Sequence, residues 1–188
     1  MKRRALVWQA GAVLATALSC GPAARAQATH SLPPELKTEL DSARLAGSAR
    51  LRFFGFDVYD ARLWVTPGFR AANYAQHTLG LELNYLRSLS GRAIAERSLQ
   101  EMRRNQAVDI ALDQAWLAAM KESFVDIKAG DRLTGLHQPG VGARFWFNSQ
   151  PRPSIADAHF SRLFFGIWLA ESTSEPRLRA DLLAQVKP

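Results

Sequence analysis

Two arginines and a tyrosine, Arg50, Arg52 and Tyr59, lie in the part of the chain richest in aromatic and β-branched residues, 48–65. A guanidinium group beside apolar surface suits an amphipathic acid, because it forms a bidentate ion pair with the head while the tail stays dry. A tyrosine hydroxyl can donate one more hydrogen bond to the same carboxylate. This combination predicts a site for a small amphipathic or acidic molecule such as a fatty acid. The alternative, weighted about equally, is that both arginines line the solvent face of an edge strand.

The stretch 48–65 must position these side chains, and its pattern has the period of two of a β-strand. Arg50 and Arg52 share one face, and Leu51 and Phe53 share the other. The second half alternates in the same way, with Tyr59, Ala61, Leu63 and Val65 on one face and Asp60, Arg62 and Trp64 on the other. Gly55 separates the halves, where a bend or bulge is expected. We therefore expect two strands, or one strongly bent strand.

The remaining pattern predicts an α+β domain with a mostly antiparallel β-sheet and helices packed on one side. A third strand is expected over 78–86 and a hairpin over 132–137 and 143–148. Helices are expected over 91–104, 109–124 and 176–186, and a further one where Ser154 and Asp157 resemble a capping box. Residues 27–46 are interpreted as an N-terminal linker that leads to an edge strand or a short helix.

Residues 1–26 have the pattern of a signal peptide. A basic start precedes an apolar segment too short for a comfortable membrane span, and Ala24-Arg25-Ala26 fits a cleavage site. We expect cleavage after Ala26, a periplasmic or secreted protein, and no stable membrane span afterwards. The alternatives are a retained membrane anchor and, ranked well below cleavage, lipid attachment at Cys20.

Charge and composition exclude several functions. Four of the 24 Lys and Arg residues lie in the predicted signal, which leaves 20 against 17 acidic residues, or +3. No basic run with interleaved aromatics suggests nucleic-acid binding. The four histidines lack metal-ligand spacing, and no catalytic triad or phosphate loop is present. We therefore predict no metal, no cofactor and no catalytic residue.

Several segments, in order, resemble a known family. They are Gly47…Arg50…Phe53…Val58-Tyr59-Asp60-Ala61…Leu63-Trp64, Tyr85…Arg87 with Ser90-Gly91, Gly130-Asp131-Arg132-Leu133, Phe145-Trp146-Phe147-Asn148, and Phe160…Phe164-Phe165-Gly166-Ile167-Trp168-Leu169. Together, over about residues 45–185, they resemble bacterial secreted chalcone isomerase-like proteins. The resemblance gives a domain over 47–188.

The resemblance implies a chalcone isomerase-like open-faced sandwich with a cleft between sheet and helices. Plant members are either isomerases or fatty-acid-binding proteins, and both place an early-strand arginine in the cleft. Arg50 is the best match for that arginine and Arg52 competes with it, while Tyr59 matches the tyrosine of the binding members. Tyr85 and Asn148 complete the predicted ligand-binding set. Residues 91–124 contain no tyrosine, so the helical tyrosine of the isomerases is absent.

Three functions follow as hypotheses, ranked in this order. The first is a non-catalytic periplasmic module that binds a small amphipathic or acidic molecule. The second is an envelope interaction protein with a filled core and no ligand. The third is an intramolecular lyase of chalcone-isomerase type, in which Arg50 and Tyr59 stabilise a developing phenolate or enolate. A cleft large enough for a ligand would separate the binding module from the interaction protein.

Overall fold

The computed structural model describes residues 31–107 and 109–186, and these form one six-stranded antiparallel sheet. The strands follow one another across the sheet in chain order, and two helices are inserted between the third and fourth. The strands are β1 Arg44–Phe53, β2 Phe56–Val65, β3 Leu79–Tyr85, β4 Arg132–Gln138, β5 Gly142–Phe147 and β6 Gln150–Ile155. The helices are α1 Pro34–Lys37, α2 Gly91–Asn105, α3 Ile110–Ser123, α4 Ala158–Leu169 and α5 Pro176–Leu182, with a 3₁₀ segment at Ala71–Gln76. The predicted α+β class is confirmed.

The three long helices begin at side chains that cap free backbone N–H groups. The Ser90 hydroxyl accepts from the Ala93 N–H at 3.1 Å and starts α2, and the Asp109 carboxylate accepts from the Ala111 N–H at 2.8 Å and starts α3. Asp157 caps α4 by accepting from the Phe160 N–H at 2.9 Å. The predicted capping box at Ser154 is wrong, because Ser154 belongs to β6.

Helices α2 to α5 cover one face of the sheet, here called the inner face. Alternation along β2 and β3 sends every second side chain towards these helices. Phe160 and Phe165 of α4 are fully buried there, together with Ala95 and Met102 of α2. The inner face and its helices hold the main hydrophobic core.

The opposite, outer face carries a smaller second core. Leu36 and Leu40, at and just after α1, are buried against Trp64, Leu136 and Trp146. The segment interpreted as a linker therefore contributes to the folded domain, and β1 already begins at Arg44.

A β-bulge in the first hairpin decides which side chains face inwards. Asp57 lies opposite Arg52 and Tyr59 lies opposite Leu51, so Val58 is an extra residue in β2. Residues directly opposite each other in paired strands project to the same face. The bulge therefore places Leu51 with Tyr59 on the inner face and leaves Arg50 opposite Asp60 on the outer face.

Strand β6 was not predicted from the sequence. Pro151 and Pro153 lack an N–H, which is tolerated because β6 is an edge strand. Within the described residues, no helix is long and apolar enough to cross a membrane.

Candidate functional site

A cavity of about 350 Å³ lies between the inner face of the sheet and the helices. Strands β1 to β5 line it on the sheet side, and α2, α4, α5 and the segment before α5 line it on the helix side. Most of its wall is apolar, including Leu81, Leu83, Leu133, Phe145, Phe164 and Phe165. Polar groups converge at one region of the wall, around two tyrosines.

Tyr59 and Tyr85 lie side by side, because β2 and β3 pair them directly. Their rings meet edge to face with centroids 5.6 Å apart, and both side chains are buried. The Trp168 indole N–H donates to the Tyr59 hydroxyl oxygen at 3.0 Å, which leaves the Tyr59 proton available for another acceptor. The Tyr85 hydroxyl has no hydrogen-bond partner among residues 31–107 and 109–186. Two hydroxyl donors therefore face the cavity.

Burial keeps both hydroxyls protonated. Desolvation raises the pKa of Tyr59 well above its usual value, although the hydrogen bond from Trp168 opposes the shift. Desolvation also raises the pKa of Tyr85, and the neighbouring Tyr59 adds to the effect. Both side chains are thus hydrogen-bond donors at physiological pH, and neither is a source of phenolate.

Arg97 of α2 brings a positive charge to the same region. Its guanidinium pairs with Glu101 at 2.6 Å and lies over the ring of Phe53, 5.4 Å from the centroid. Half of the Arg97 side chain stays exposed, whereas Glu101 is buried. Glu101 also forms an ion pair with Arg104 at 3.2 Å and accepts a hydrogen bond from the Ser174 hydroxyl at 2.8 Å, so its charge is compensated even without Arg97.

Arg87, two residues beyond the end of β3, is a second arginine on the cavity wall. Its guanidinium carbon lies 5.0 Å from the centroid of the Phe56 ring. Within the described part of the chain it forms no ion pair with an acidic side chain. Arg87 can therefore meet an external anion without breaking an existing ion pair.

Arg50 and Arg52 are not part of the cavity. Arg50 donates to Asp60 at 2.6 Å and to Asp57 at 2.9 Å, and Arg52 donates to Asp57 at 2.6 Å. All these groups lie on the outer face or at its rim and are partly exposed. The prediction that one of these arginines faces the cleft is wrong. Both lie on the solvent side of the sheet, as the alternative interpretation expected. The physical reason is the bulge at Val58, since without it Arg50 would stand opposite Tyr59.

Asn148 also lies away from the cavity. It occupies the β5–β6 turn with a left-handed φ of 47°, which asparagine tolerates. Its side-chain oxygen accepts from the Arg132 backbone N–H at 2.8 Å, and its side-chain NH₂ group donates to the Asp131 carboxylate at 2.9 Å. Of the five predicted ligand-binding residues, only Tyr59 and Tyr85 come together at the cavity.

Arg87, Arg97 and Glu101 line the cavity but were not predicted from the sequence. Arg97, Glu101 and Arg104 have the i,i+4 and i,i+3 spacing of helix ion pairs. That spacing is equally common on solvated helix faces, so it could not show that Glu101 is buried. Trp168 is buried, and its indole N–H donates to the Tyr59 hydroxyl, a role that the sequence did not predict.

With this geometry in place, the comparisons with known proteins identify the family. Residues 24–184 match the family model described as chalcone isomerase-like. The chain belongs to the chalcone isomerase-like family. The resemblance seen in the sequence is thereby confirmed over a longer span, which includes part of the N-terminal segment.

Two relatives of this chalcone isomerase-like protein are informative. One is an uncharacterized protein of Haemophilus influenzae, 28% identical over 141 residues, which covers 75% of this chain and 68% of the relative. The other is the crystal structure of a fatty-acid binding protein of Arabidopsis thaliana, with a TM-score of 0.59 and 15% identity. That match covers 76% of this chain and 87% of the plant protein. At this identity the plant structure shows that the fold is shared.

Proposed function

We propose that this chalcone isomerase-like protein binds one small amphipathic acid, such as a fatty acid, in the cavity and releases it unchanged. The observation that carries the proposal is that the cavity wall has one polar, positively charged region and a mostly apolar remainder. Tyr59, Tyr85 and Arg97 supply donors and positive charge in one region, while most of the remaining wall is apolar and lined chiefly by leucine and phenylalanine side chains. The fold shared with a fatty-acid binding protein supports the same ligand class.

The head group would be held by the two tyrosine hydroxyls and Arg97. A carboxylate oxygen can accept hydrogen bonds from both hydroxyls, because the Tyr59 oxygen already accepts from Trp168 and Tyr85 has no described partner. Arg97 is close enough to Tyr59 for its charge to lower the hydroxyl pKa, so it can act on the same anion. Charge-assisted hydrogen bonds of this kind are the strong ones.

The tail would occupy the apolar remainder of the cavity. A volume of about 350 Å³ lies within the range of small-molecule sites, which are mostly apolar with a few convergent polar groups. Hydrophobic burial of an acyl chain there supplies affinity in proportion to the area removed from water. The cavity also favours a binding module over an interaction protein with a filled core.

Release of the ligand unchanged is supported by the state of the polar side chains. Proton abstraction requires a base whose pKa is matched to the working pH. Both tyrosines are held protonated, and Glu101 forms ion pairs with Arg97 and Arg104 and accepts a hydrogen bond from Ser174. The helical segment 91–124 brings no tyrosine to the cavity, unlike the isomerases that the sequence resembles.

Titration calorimetry of delipidated protein with a long-chain fatty acid tests the proposal. We expect saturable binding at one site, and weaker binding of the alcohol with the same chain length. Replacing Arg97 with leucine should lower the affinity about tenfold to a hundredfold, since a hydrogen bond to a charged group contributes about 1.5–3 kcal/mol.

The matched control is Arg52→Leu, which removes an arginine from the rim of the outer face. We expect it to leave the affinity unchanged. No saturable binding to the delipidated wild type, or an equal loss in both variants, would contradict the proposal.

We also propose that the protein is exported and acts in the periplasm or outside the cell. The support is the pattern of residues 1–26, which lie outside the described residues. N-terminal sequencing of the mature protein should find Gln27 first. A start at Met1 would contradict export with cleavage, and a lipidated Cys20 would place the protein on a membrane surface.

A further inference from the structure

The tip of the β1–β2 hairpin exposes three phenylalanines. Phe53, Phe54 and Phe56 surround the turn at Gly55, and 44%, 86% and 62% of their respective surfaces are exposed. Leu86 is also exposed and lies close to the tip, where its N–H donates to the Val58 carbonyl near the start of β2 at 2.9 Å. Monomeric proteins seldom leave such a group of large apolar side chains in water without a function. We call these four residues the aromatic tip.

Arginines surround the aromatic tip. Arg87 lies over the Phe56 ring and Arg97 over the Phe53 ring, with guanidinium carbons 5.0 Å and 5.4 Å from the ring centroids. Arg52, with 69% of its side chain exposed, lies on the same hairpin and shares Asp57 with Arg50. Because Arg87 has no acidic partner among the described residues, the rim of the tip carries an excess of positive charge.

The aromatic tip borders the cavity. Phe53 of the tip also lines the cavity wall, and so do Arg87 and Arg97 beside the tip. Because Phe53 and Arg97 line the cavity and are both about half exposed, we infer that the cavity opens beside this tip.

We propose that the aromatic tip docks on an anionic lipid bilayer, with Phe54 and Phe56 entering the boundary between head groups and acyl chains. Aromatic side chains favour that boundary, and arginines beside it attract anionic lipids. A protruding turn can enter a fluid bilayer without a complementary pocket, which a protein partner would have to supply. Docking places the cavity entrance at the bilayer, so an amphipathic acid passes between bilayer and cavity without crossing bulk water. This transfer step rests on the proposed function, whereas the docking itself does not.

Co-sedimentation with vesicles tests the docking. Delipidated protein is mixed with vesicles of phosphatidylcholine alone or of phosphatidylcholine with phosphatidylglycerol. The wild type should partition to the anionic vesicles, and added salt should weaken the partition because it screens the arginines. The variant Phe54→Asn with Phe56→Thr should lower the partition at least about tenfold, since each phenylalanine then loses its burial in the bilayer.

The matched control is Ile110→Thr with Val141→Thr. Both residues are large, apolar and mostly exposed, at 74% and 59%, but lie away from the aromatic tip. This control should partition like the wild type. Equal partition of the tip variant and the wild type would overturn the proposal. So would a concentration-dependent dimer that the tip variant abolishes without any vesicle binding, because the tip would then cover a second copy.

Calorimetry with a soluble fatty acid separates this proposal from the proposed function. Neither Phe54 nor Phe56 lines the cavity, so the tip variant should bind the free acid as tightly as the wild type does. The rate at which a fatty acid leaves anionic vesicles for the protein should fall in the tip variant. An unchanged transfer rate would overturn direct transfer from the bilayer. If the wild type binds no fatty acid in calorimetry, the proposal of ligand binding in the cavity fails, but the docking proposal does not.

Discussion

The two faces of the sheet are built from the same alternating strands but differ in how their polar side chains are paired. On the outer face, charged groups are matched within the chain, as in the ion pairs of Arg62 with Glu82 at 3.0 Å and of Arg144 with Glu39 at 2.6 Å. On the inner face, the Tyr85 hydroxyl has no described partner and the space around it is open. These outer-face charges are paired within the fold, whereas the Tyr85 hydroxyl can still donate to a ligand, as the proposed function requires. This difference explains why the outer-face arginines were misleading candidates.

The largest expected effect concerns the outer face and its small core. Leu36 is fully buried against Trp64 and Trp146. We expect Leu36→Ala to lower the free energy of unfolding by about 2–5 kcal/mol, the usual cost of a cavity in a core. Urea denaturation measures this, with Ile110→Ala as the exposed control. A change no larger than that of the control would show that the N-terminal segment is not part of the cooperative unit.

A second prediction uses the buried carboxylate of the outer face, Glu35. Burial opposes ionisation, but hydrogen bonds from the Thr134 hydroxyl and its own N–H, together with Arg132, hold the Glu35 pKa below its usual value. A depressed carboxyl pKa contributes stability above the unfolded value near 4.5 and loses it as the pH falls through the folded value. We expect Thr134→Val to cost about 1.5–3 kcal/mol at pH 7, because a hydrogen bond of 2.6 Å to a charged group is lost.

The same substitution should matter less in acid. When Glu35 is protonated the charge-assisted bond is gone in both proteins, so their unfolding free energies should converge as the pH falls below 4.5. Chemical denaturation over a pH series measures the convergence. A difference independent of pH would assign the cost of Thr134→Val to packing.

A third prediction compares the Tyr→Phe substitution at Tyr59 with the same substitution at Tyr85. Tyr59→Phe removes the acceptor of the Trp168 indole N–H and should destabilise the fold by about 1–3 kcal/mol, the cost of a buried donor left unpaired. An unfolding midpoint equal to that of the wild type would show that the indole finds another acceptor.

The smallest expected effect on stability belongs to Tyr85→Phe. Its hydroxyl bonds to no described side chain, so the unfolding free energy should stay within about 0.5 kcal/mol of the wild type. Affinity for a fatty acid should nevertheless fall by about 1 kcal/mol, the value of one neutral hydrogen bond. Loss of stability without loss of affinity would place the hydroxyl with the fold and contradict the comparison of the two faces.

Periodicity predicted most of the fold, because amphipathic strands and capped helices are local properties of the sequence. The strand over 78–86 and the helices over 91–104 and 109–124 are confirmed within a few residues as β3, α2 and α3. Strand β6 was missed because Pro151 and Pro153 oppose strand pairing, and only its edge position permits them. The packing of Leu36 on Trp64 is a long-range contact that no local pattern reveals.

The site was only half predictable, for a reason specific to the hairpin. Tyr59 was predicted because it matches the tyrosine of the family's binding members, and the alternation along β2 placed it on one strand face. The face of Arg50 relative to Tyr59 depends on one extra residue, Val58, and a bulge reverses the alternation without a sequence signal of its own. Arg97 lies on a helix, so its approach to the tyrosines depends on how α2 packs over the sheet.

Native mass spectrometry with lipid extraction, on protein purified gently from its own cells, tests the central claim most directly. The account predicts the mature chain carrying one small amphipathic acid, which denaturation releases and which Arg97→Leu retains less than Arg52→Leu does. A bare chain that also fails to take up added fatty acid would contradict it.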